Sequence, residues 1–428
     1  MIAVNIGRTF LKAYNERYQT NYSAKKFFLE KYFPLFFDAE KYMQYVTNSP
    51  FVQGLKKGTP PTPTERQQRL AAFIEKIDRN DPDASFAIGF PSMEITATTS
   101  GQLTDISQPW IKEDVYLSWI GSGLGIGIQG GLSIFFNKGE LLMDLYEGWN
   151  IYRKFLHTIP LLRGNQINTW NGQWIAHRYD HRRYDPSDPT TQFNGISAMK
   201  DGGLEISTQS WIAVMIGISR KWGDLQLTGY VYNLGQTNTT IGFIPFKIPQ
   251  IKRPVELYEK YFGTTSKAEV DQLFGTAFGF TKACQMGVIG VSAMEPKGLR
   301  EFIEQGKSPV YNEKDENKKL HFQTHQIWLL AMLNNEQLWE QARNFALLLN
   351  TYALSSDKGK KDKTNQVKTV LTAVNQKQFL ESLITIVEEA SDKDAYAEMA
   401  KLIHVMPKDN VPYFLTLIRF HFATISKN

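Results

Sequence analysis

Apolar side chains recur at helical spacing toward both ends of the chain and alternate over shorter runs through its middle. That contrast predicts helix, then mostly strand, then helix again. From Phe10 to Tyr45 the pattern reads as aromatic-rich helix with Ser23 as an N-cap, because Phe27, Phe28, Tyr32 and Phe36 follow it. Thr59 to Glu65 breaks regular structure, and Thr62 or Thr64 can cap a new amphipathic helix over Arg66–Arg79 that buries Leu70, Phe73, Ile74 and Ile77.

Phe86 to Lys247 reads as predominantly β. Strands are expected at Phe86–Phe90, Glu94–Thr98, Val115–Ile120 and Leu124–Phe136, and at Thr240–Ile248. Trp211–Ser219 and Leu225–Tyr232 flank Lys221 to Asp224 as a hairpin would. Leu141–Leu156 interrupts the strands with a helix. Gly121, Gly123, Gly125 and Gly127 alternate with Ser122, Leu124, Ile126 and Ile128, a period of two that strips one strand face of side chains. Such a face admits either a closely packed helix or a ligand backbone. Its length invites a membrane reading, which the alternation argues against.

Pro254 opens the return to helix over Val255–Phe262, and Ser266 with Glu269 makes a capping-box pattern for Ser266–Phe274. Thr281–Val291 is an apolar run that should bury the lone Cys284, and Lys307–Lys319 is a charged boundary loop. Beyond it Phe322–Leu354 should be helical with a break at Asn334-Asn335. Lys358–Lys363 reads as a basic loop, followed by helices over Val367–Ala390, Asp394–Val405 and Val411–Ile425, the last capped by Asp409 or Asn410. The expected fold is therefore α+β: a mixed body of helix and largely antiparallel sheet, then an all-α C-terminal helical bundle. The expected parts are an N-terminal helical part (1–85), a sheet-containing body (86–306) and the bundle (320–428).

Composition adds limits. The 428 residues are 42% apolar and 21% charged, ordinary for a folded chain of more than one domain. A net charge of +5 permits an anionic partner without demanding one. One cysteine excludes an internal disulfide and a multi-cysteine zinc site, and with no leader visible at Met1–Phe10 a cytoplasmic location is expected.

The chain carries no GxxxxGK[ST] phosphate loop, no GxSxG elbow and no HExxH pair. No catalytic residue, metal ligand or cofactor is expected. The alternative is a metal-dependent nuclease or restriction-like enzyme using His177, Asp180 and His181, which lack a clustered set of further acids. Binding chemistry is better represented. Gly164–Asp185 gathers Asn165, Gln166, Asn168, Asn171 and Gln173, whose amides match base edges, with Trp170 and Trp174, which can stack or wedge. Arg178, Arg182 and Arg183 add phosphate-matching guanidinium groups, and Lys56 and Lys57 lie in a loop that can touch phosphate. The plain alternative is a turn-rich connector whose amides serve the chain's own backbone and whose tryptophans are core; its glycine, asparagine and tryptophan content argues against a regular helix.

With the Trp170-Asn171-Gly172 element, the β-containing body around it and a helical end closing on Val411 to Phe420, the chain resembles the large subunit of type I CRISPR interference complexes (Cascade), without the CxxC zinc motifs some members carry. The resemblance implies a non-catalytic DNA-binding subunit that recognises the protospacer-adjacent motif in double-stranded target DNA and helps open it. A guide RNA held by other subunits then reads the rest by base pairing, and a helicase-nuclease is recruited for antiviral defence. It implies no membrane partner.

Overall fold

The computed structural model describes residues 1–44, 49–52, 59–79, 111–233, 240–263, 273–355 and 360–426. The expected strands at Phe86–Phe90 and Glu94–Thr98, most of the expected helix at Ser266–Phe274, and the loop holding Lys56 and Lys57 lie outside the described residues. The fold is α+β, and its contacts divide it into two compact units, Met1–Phe246 and Lys247–Asn428.

In the N-terminal unit α1 (Ile2–Tyr18) packs along α5 (Lys112–Ser122) at backbone distance. A Cβ on Gly121 would sit 1.8 Å from the Ala3 carbonyl oxygen, and one on Gly7 would sit 2.2 Å from that of Leu117. Only glycine permits this crossing. Between them run α2 (Ala24–Phe27), a π-helical turn (Phe28–Tyr32) and α3 (Phe33–Phe36), with Ser23 accepting from the Lys26 amide as a cap. Helix α4 (Pro63–Asp78) starts on a full capping box between Thr62 and Glu65. The sheet follows as β1 (Ile126–Ile128), β2 (Leu132–Phe136), β5 (Gln226–Asn233) and β6 (Thr240–Lys247), in that spatial order. Antiparallel register sets Ile126 opposite Ile134, and Ile134 opposite Val231. Helices α6 (Gly139–Thr158), α7 (Ile167–Arg178) and α8 (Trp211–Lys221) and the small ribbon of β3 (Ile196–Ala198) and β4 (Leu204–Ile206) complete the unit.

Two runs expected as strand are helices. Val115–Ile120 belongs to α5, and Trp211–Ser219 is α8, capped by Ser210 on the Ala213 amide; neither half of the expected hairpin at Lys221–Asp224 pairs with the other. Both runs are buried almost all round, so their apolar residues carry no periodicity to distinguish helix from strand. The alternating glycines are split between the end of α5 and β1.

The C-terminal unit holds α9 (Ile248–Phe262), α10 (Phe280–Gln285), a 3-10 turn (Val291–Met294), α11 (Arg300–Gln305), α12 (Glu316–Leu333), α13 (Gln337–Leu354), α14 (Lys360–Thr372), α15 (Gln376–Glu389), α16 (Lys393–Val405) and α17 (Val411–Ile425). Pro254 lies inside α9 rather than at its start, because the helix already begins on Ile248 with Pro249 in its first turn. Asn334 takes the left-handed conformation that ends α12, at the expected break. Cys284 is buried, which pushes its thiol up to about 11.

Two further expectations in this unit are corrected. Lys360–Lys363 opens α14 instead of forming a loop, and the single helix expected over Val367–Ala390 is two, α14 and α15. The break has a partner: the buried Arg419 of α17 donates to the carbonyls of Leu371 and Ala373 at 3.0 and 3.1 Å and to that of Phe302 at 2.6 Å. Carbonyls that α14 leaves unpaired are thus satisfied by a side chain. Asn375 then caps α15 on the Gln378 amide.

Burial holds two histidines of this unit neutral. Desolvation pushes His325 down to about 4, against a hydrogen bond to the Lys297 carbonyl, and pushes His421 down to about 3, with the Arg343 charge acting the same way. Each therefore binds its proton more weakly folded than unfolded. Their contribution is full above the ordinary histidine value of 6.5 and is lost as pH falls from there toward 4 and below. Between pH 7 and pH 6 the two together should cost about 1–2 kcal/mol of stability. Denaturant titrations at the two pH values check this, with the loss absent from the His325→Gln/His421→Gln variant.

Candidate nucleic-acid interface

Gly164–Asp185 folds around a regular helix, α7, contrary to the expectation of a turn-rich segment. Its glycine and asparagines are accommodated because tertiary contacts override local propensity. Gly172 lets the helix lie on β1, where a Cβ would stand 2.1 Å from the Gly127 carbonyl oxygen; at Gly127 a Cβ would stand 2.8 Å from the Asn168 backbone. Gly127 of β1 therefore receives a helix of the same chain.

The amides expected to read bases are turned inward. Asn168 Nδ2 donates to the Gly125 carbonyl at 3.0 Å, and Asn171 Nδ2 to those of Gly123 and Gly125 at 2.8 and 2.9 Å. Gln166 pairs with β4 like a strand residue, accepting from the Ile206 amide at 3.0 Å and donating to the Ile206 carbonyl at 3.4 Å. Gln173 donates to the carbonyl and hydroxyl of Ser207 at 2.7 and 2.8 Å. Unpaired polar backbone in a core is costly, and these side chains satisfy it where no ladder reaches. Asn165 alone among them is exposed, at a left-handed φ of 61°.

Trp170 and Trp174 are fully buried. Trp170 stacks on Tyr152 with ring centroids 5.1 Å apart, and Trp174 donates from its indole to the Asp144 carbonyl at 2.8 Å. A wedge into duplex DNA would require unpacking both. Trp170, Trp174, Asn168, Asn171, Gln166 and Gln173 thus hold α7 in place, with their amides and rings engaged by the chain itself.

The cations behave differently. At the C-terminal end of α7, Arg178 pairs with Asp144 at 3.0 Å and Glu147 at 2.6 Å and donates to the Tyr184 hydroxyl at 2.9 Å. The Tyr179 hydroxyl and Lys221 reach the other Asp144 oxygen at 2.6 and 2.5 Å. Asp144 is 2% exposed, so this carboxylate is the buried anchor of the group. One turn on, Arg182 meets Asp180 at 3.2 Å and Arg183 meets it at 3.7 Å, with 38% and 40% of their side chains exposed against 11% for the carboxylate. Burial raises the Asp180 carboxyl, but the charges of Arg220 and Arg182 and the hydrogen bonds from Arg182 prevail and hold it below the usual range.

Helices α7 and α8 are packed together, and Asp144 joins Arg178 at the end of one to Lys221 at the end of the other, while Asp180 in the turn after α7 feels the charge of Arg220 in α8. Both macrodipoles present their negative ends here, which favours cations. Arg178, Arg182, Arg183, Arg220 and Lys221 outnumber Asp144, Glu147 and Asp180, and Arg182, Arg183 and Lys221, at 38%, 40% and 39% exposed, are more open than any of the three carboxylates, whereas Arg178 at 18% is not. Arg220 and Lys221 were missed in the sequence because their run reads as a strand; Ser210 as an N-cap followed by two cations in a last turn was the available signal.

The nuclease set does not assemble. His177 Nε2 faces the Pro189 carbonyl at 3.1 Å, and burial pushes its pKa down despite that hydrogen bond, while His181 is exposed on the turn beyond. Among the described residues no group of His, Cys, Asp and Glu is placed to hold a metal ion, and no helix is long and apolar enough to cross a membrane. A scan against models of known families finds no match, and comparison with curated proteins and with solved structures finds no similar chain.

Proposed function

We propose that this chain is a non-catalytic nucleic-acid-binding subunit that contacts the phosphate backbone through the cations gathered at the ends of α7 and α8. The observation that carries it is the half-exposed pair Arg182 and Arg183 on Asp180, whose carboxyl also feels the charge of Arg220, one turn beyond Arg178 and Lys221 on the buried Asp144. Guanidinium groups held in place by second partners lose little freedom on meeting a phosphate, and each phosphate neutralised releases counterions. The resemblance to type I CRISPR large subunits supplies the wider setting: a guide RNA, double-stranded target DNA, further subunits and a recruited helicase-nuclease. In that setting this surface serves orientation and affinity, since phosphate contacts position a protein and do not read sequence.

The test is fluorescence anisotropy with a labelled mixed-sequence DNA duplex over a salt series. Arg182→Ala/Arg183→Ala should weaken binding about ten-fold at low salt and flatten the salt slope by about two units, with unchanged melting. Equal affinity and slope in wild type and variant would remove the assignment.

A further inference from the structure

Arg182 and Arg183 pair with the carboxylate of Asp180 at 3.2 and 3.7 Å, the charge of Arg220 acts on it as well, and 11% of its side chain is exposed. The Arg182 backbone amide also donates to Asp180 Oδ1 at 3.3 Å, closing a local turn that holds the carboxylate in that seat. A phosphate approaching from solvent meets guanidinium groups already engaged by an anion of the chain itself. We propose that Asp180 is an internal competitor for the phosphate backbone, occupying the anion seat between α7 and α8 and setting how tightly nucleic acid is held. The inference rests on the nucleic-acid reading above and adds to it the sign of one residue: an acid inside the site whose removal strengthens binding.

Attraction between Asp180 and its arginines, and repulsion between Asp180 and an incoming phosphate, act over a few ångströms at a largely buried carboxylate whose arginine partners are half-exposed. Removing that single charge there should be worth about a three- to ten-fold change in affinity at low ionic strength. The gain should shrink with added salt as the charges are screened. Asp180→Asn is the direct variant, because the asparagine Oδ1 can still accept from the Arg182 amide and keep the turn. Asp180→Ser, which can close the same kind of turn, serves as an independent second replacement.

Anisotropy with the same labelled duplex, on full-length protein whose melting matches wild type, decides the matter. The expected result is tighter binding by Asp180→Asn and Asp180→Ser, with the gain abolished when Arg182→Ala/Arg183→Ala is added. Glu147→Gln removes one carboxylate beside Arg178 and away from the seat, and should give a smaller gain. An equal gain from Glu147→Gln, or a gain that survives loss of both arginines, reduces the effect to net charge and overturns the proposal. Unchanged or weaker binding by both Asp180 variants, while the arginine variant still loses affinity, overturns the competitor role and leaves the nucleic-acid reading standing. Absence of binding by every form removes both.

Discussion

Asp144→Ala should lower the unfolding free energy of the N-terminal unit by about 3–5 kcal/mol, among the largest effects of any polar substitution in the chain. The carboxylate is almost wholly buried and takes Arg178 on one oxygen and both Tyr179 and Lys221 on the other. Taking two charges out of water is costly and the attraction between them offsets that cost; deleting one partner leaves the cost with nothing against it. Two circumstances hold the loss toward the lower figure. Glu147 still engages Arg178 at 2.6 Å, and Lys221 is exposed enough to turn to solvent. The Tyr179 hydroxyl has no such recourse, since the ring is buried and its pKa is already pushed far up by desolvation and by the Asp144 charge. Denaturant unfolding followed by tryptophan fluorescence measures the change, and a loss under about 1 kcal/mol would mean that desolvation nearly cancels the pairs. Asp144→Asn keeps an acceptor for Tyr179 and should cost less than the alanine.

Gly172→Leu should be at least as severe, about 4 kcal/mol or more, or leave no folded protein to recover. Overpacking usually costs less because side chains move aside. Here the first added atom meets backbone, the Gly127 carbonyl oxygen 2.1 Å away, so the whole of α7 must lift from β1. Lifting it breaks the bonds from Asn168 and Asn171 to residues 123–125, which cross the same interface. Far-UV and near-UV circular dichroism of Gly172→Leu against wild type measures loss of the unit, and Gly172→Ala, which places the same Cβ against the Gly127 oxygen, should already be destabilised. Native stability in the leucine variant would mean that the helix is not seated on the strand as described.

The helices with local end signals were legible in the sequence. Thr62 and Glu65 announce α4, Ser23 announces α2, and Asn334 ends α12 where the spacing of apolar residues lapses. These signals are local: a cap bonds an amide three residues away, and an amphipathic face repeats within one turn. Helices α5, α7 and α8 failed the same test because the core surrounds them, leaving no polar face to mark the period. The glycine alternation at 121–127 reads as one stripped strand face, but only Gly127 lies in a strand: Gly121 in α5 closes on α1, and Gly125 and Gly127 close on Asn168 of α7.

What the chain determined by itself is its α+β class, its capped amphipathic helices, its single inert thiol and the clustering of arginines at 178–183. Tertiary structure alone decided which way the polar groups of Gly164–Asp185 face. An asparagine suited to an adenine edge and one suited to a carbonyl of its own backbone are the same residue, and the carbonyls that claim Asn171 and Gln166 lie 46–48 and 40 residues away. Distant partners took Asn171, Gln173 and the tryptophans out of solvent, while the packing of α7 on α8 brought Lys221 to Arg178 on Asp144 and left Arg182 and Arg183 half-exposed on Asp180.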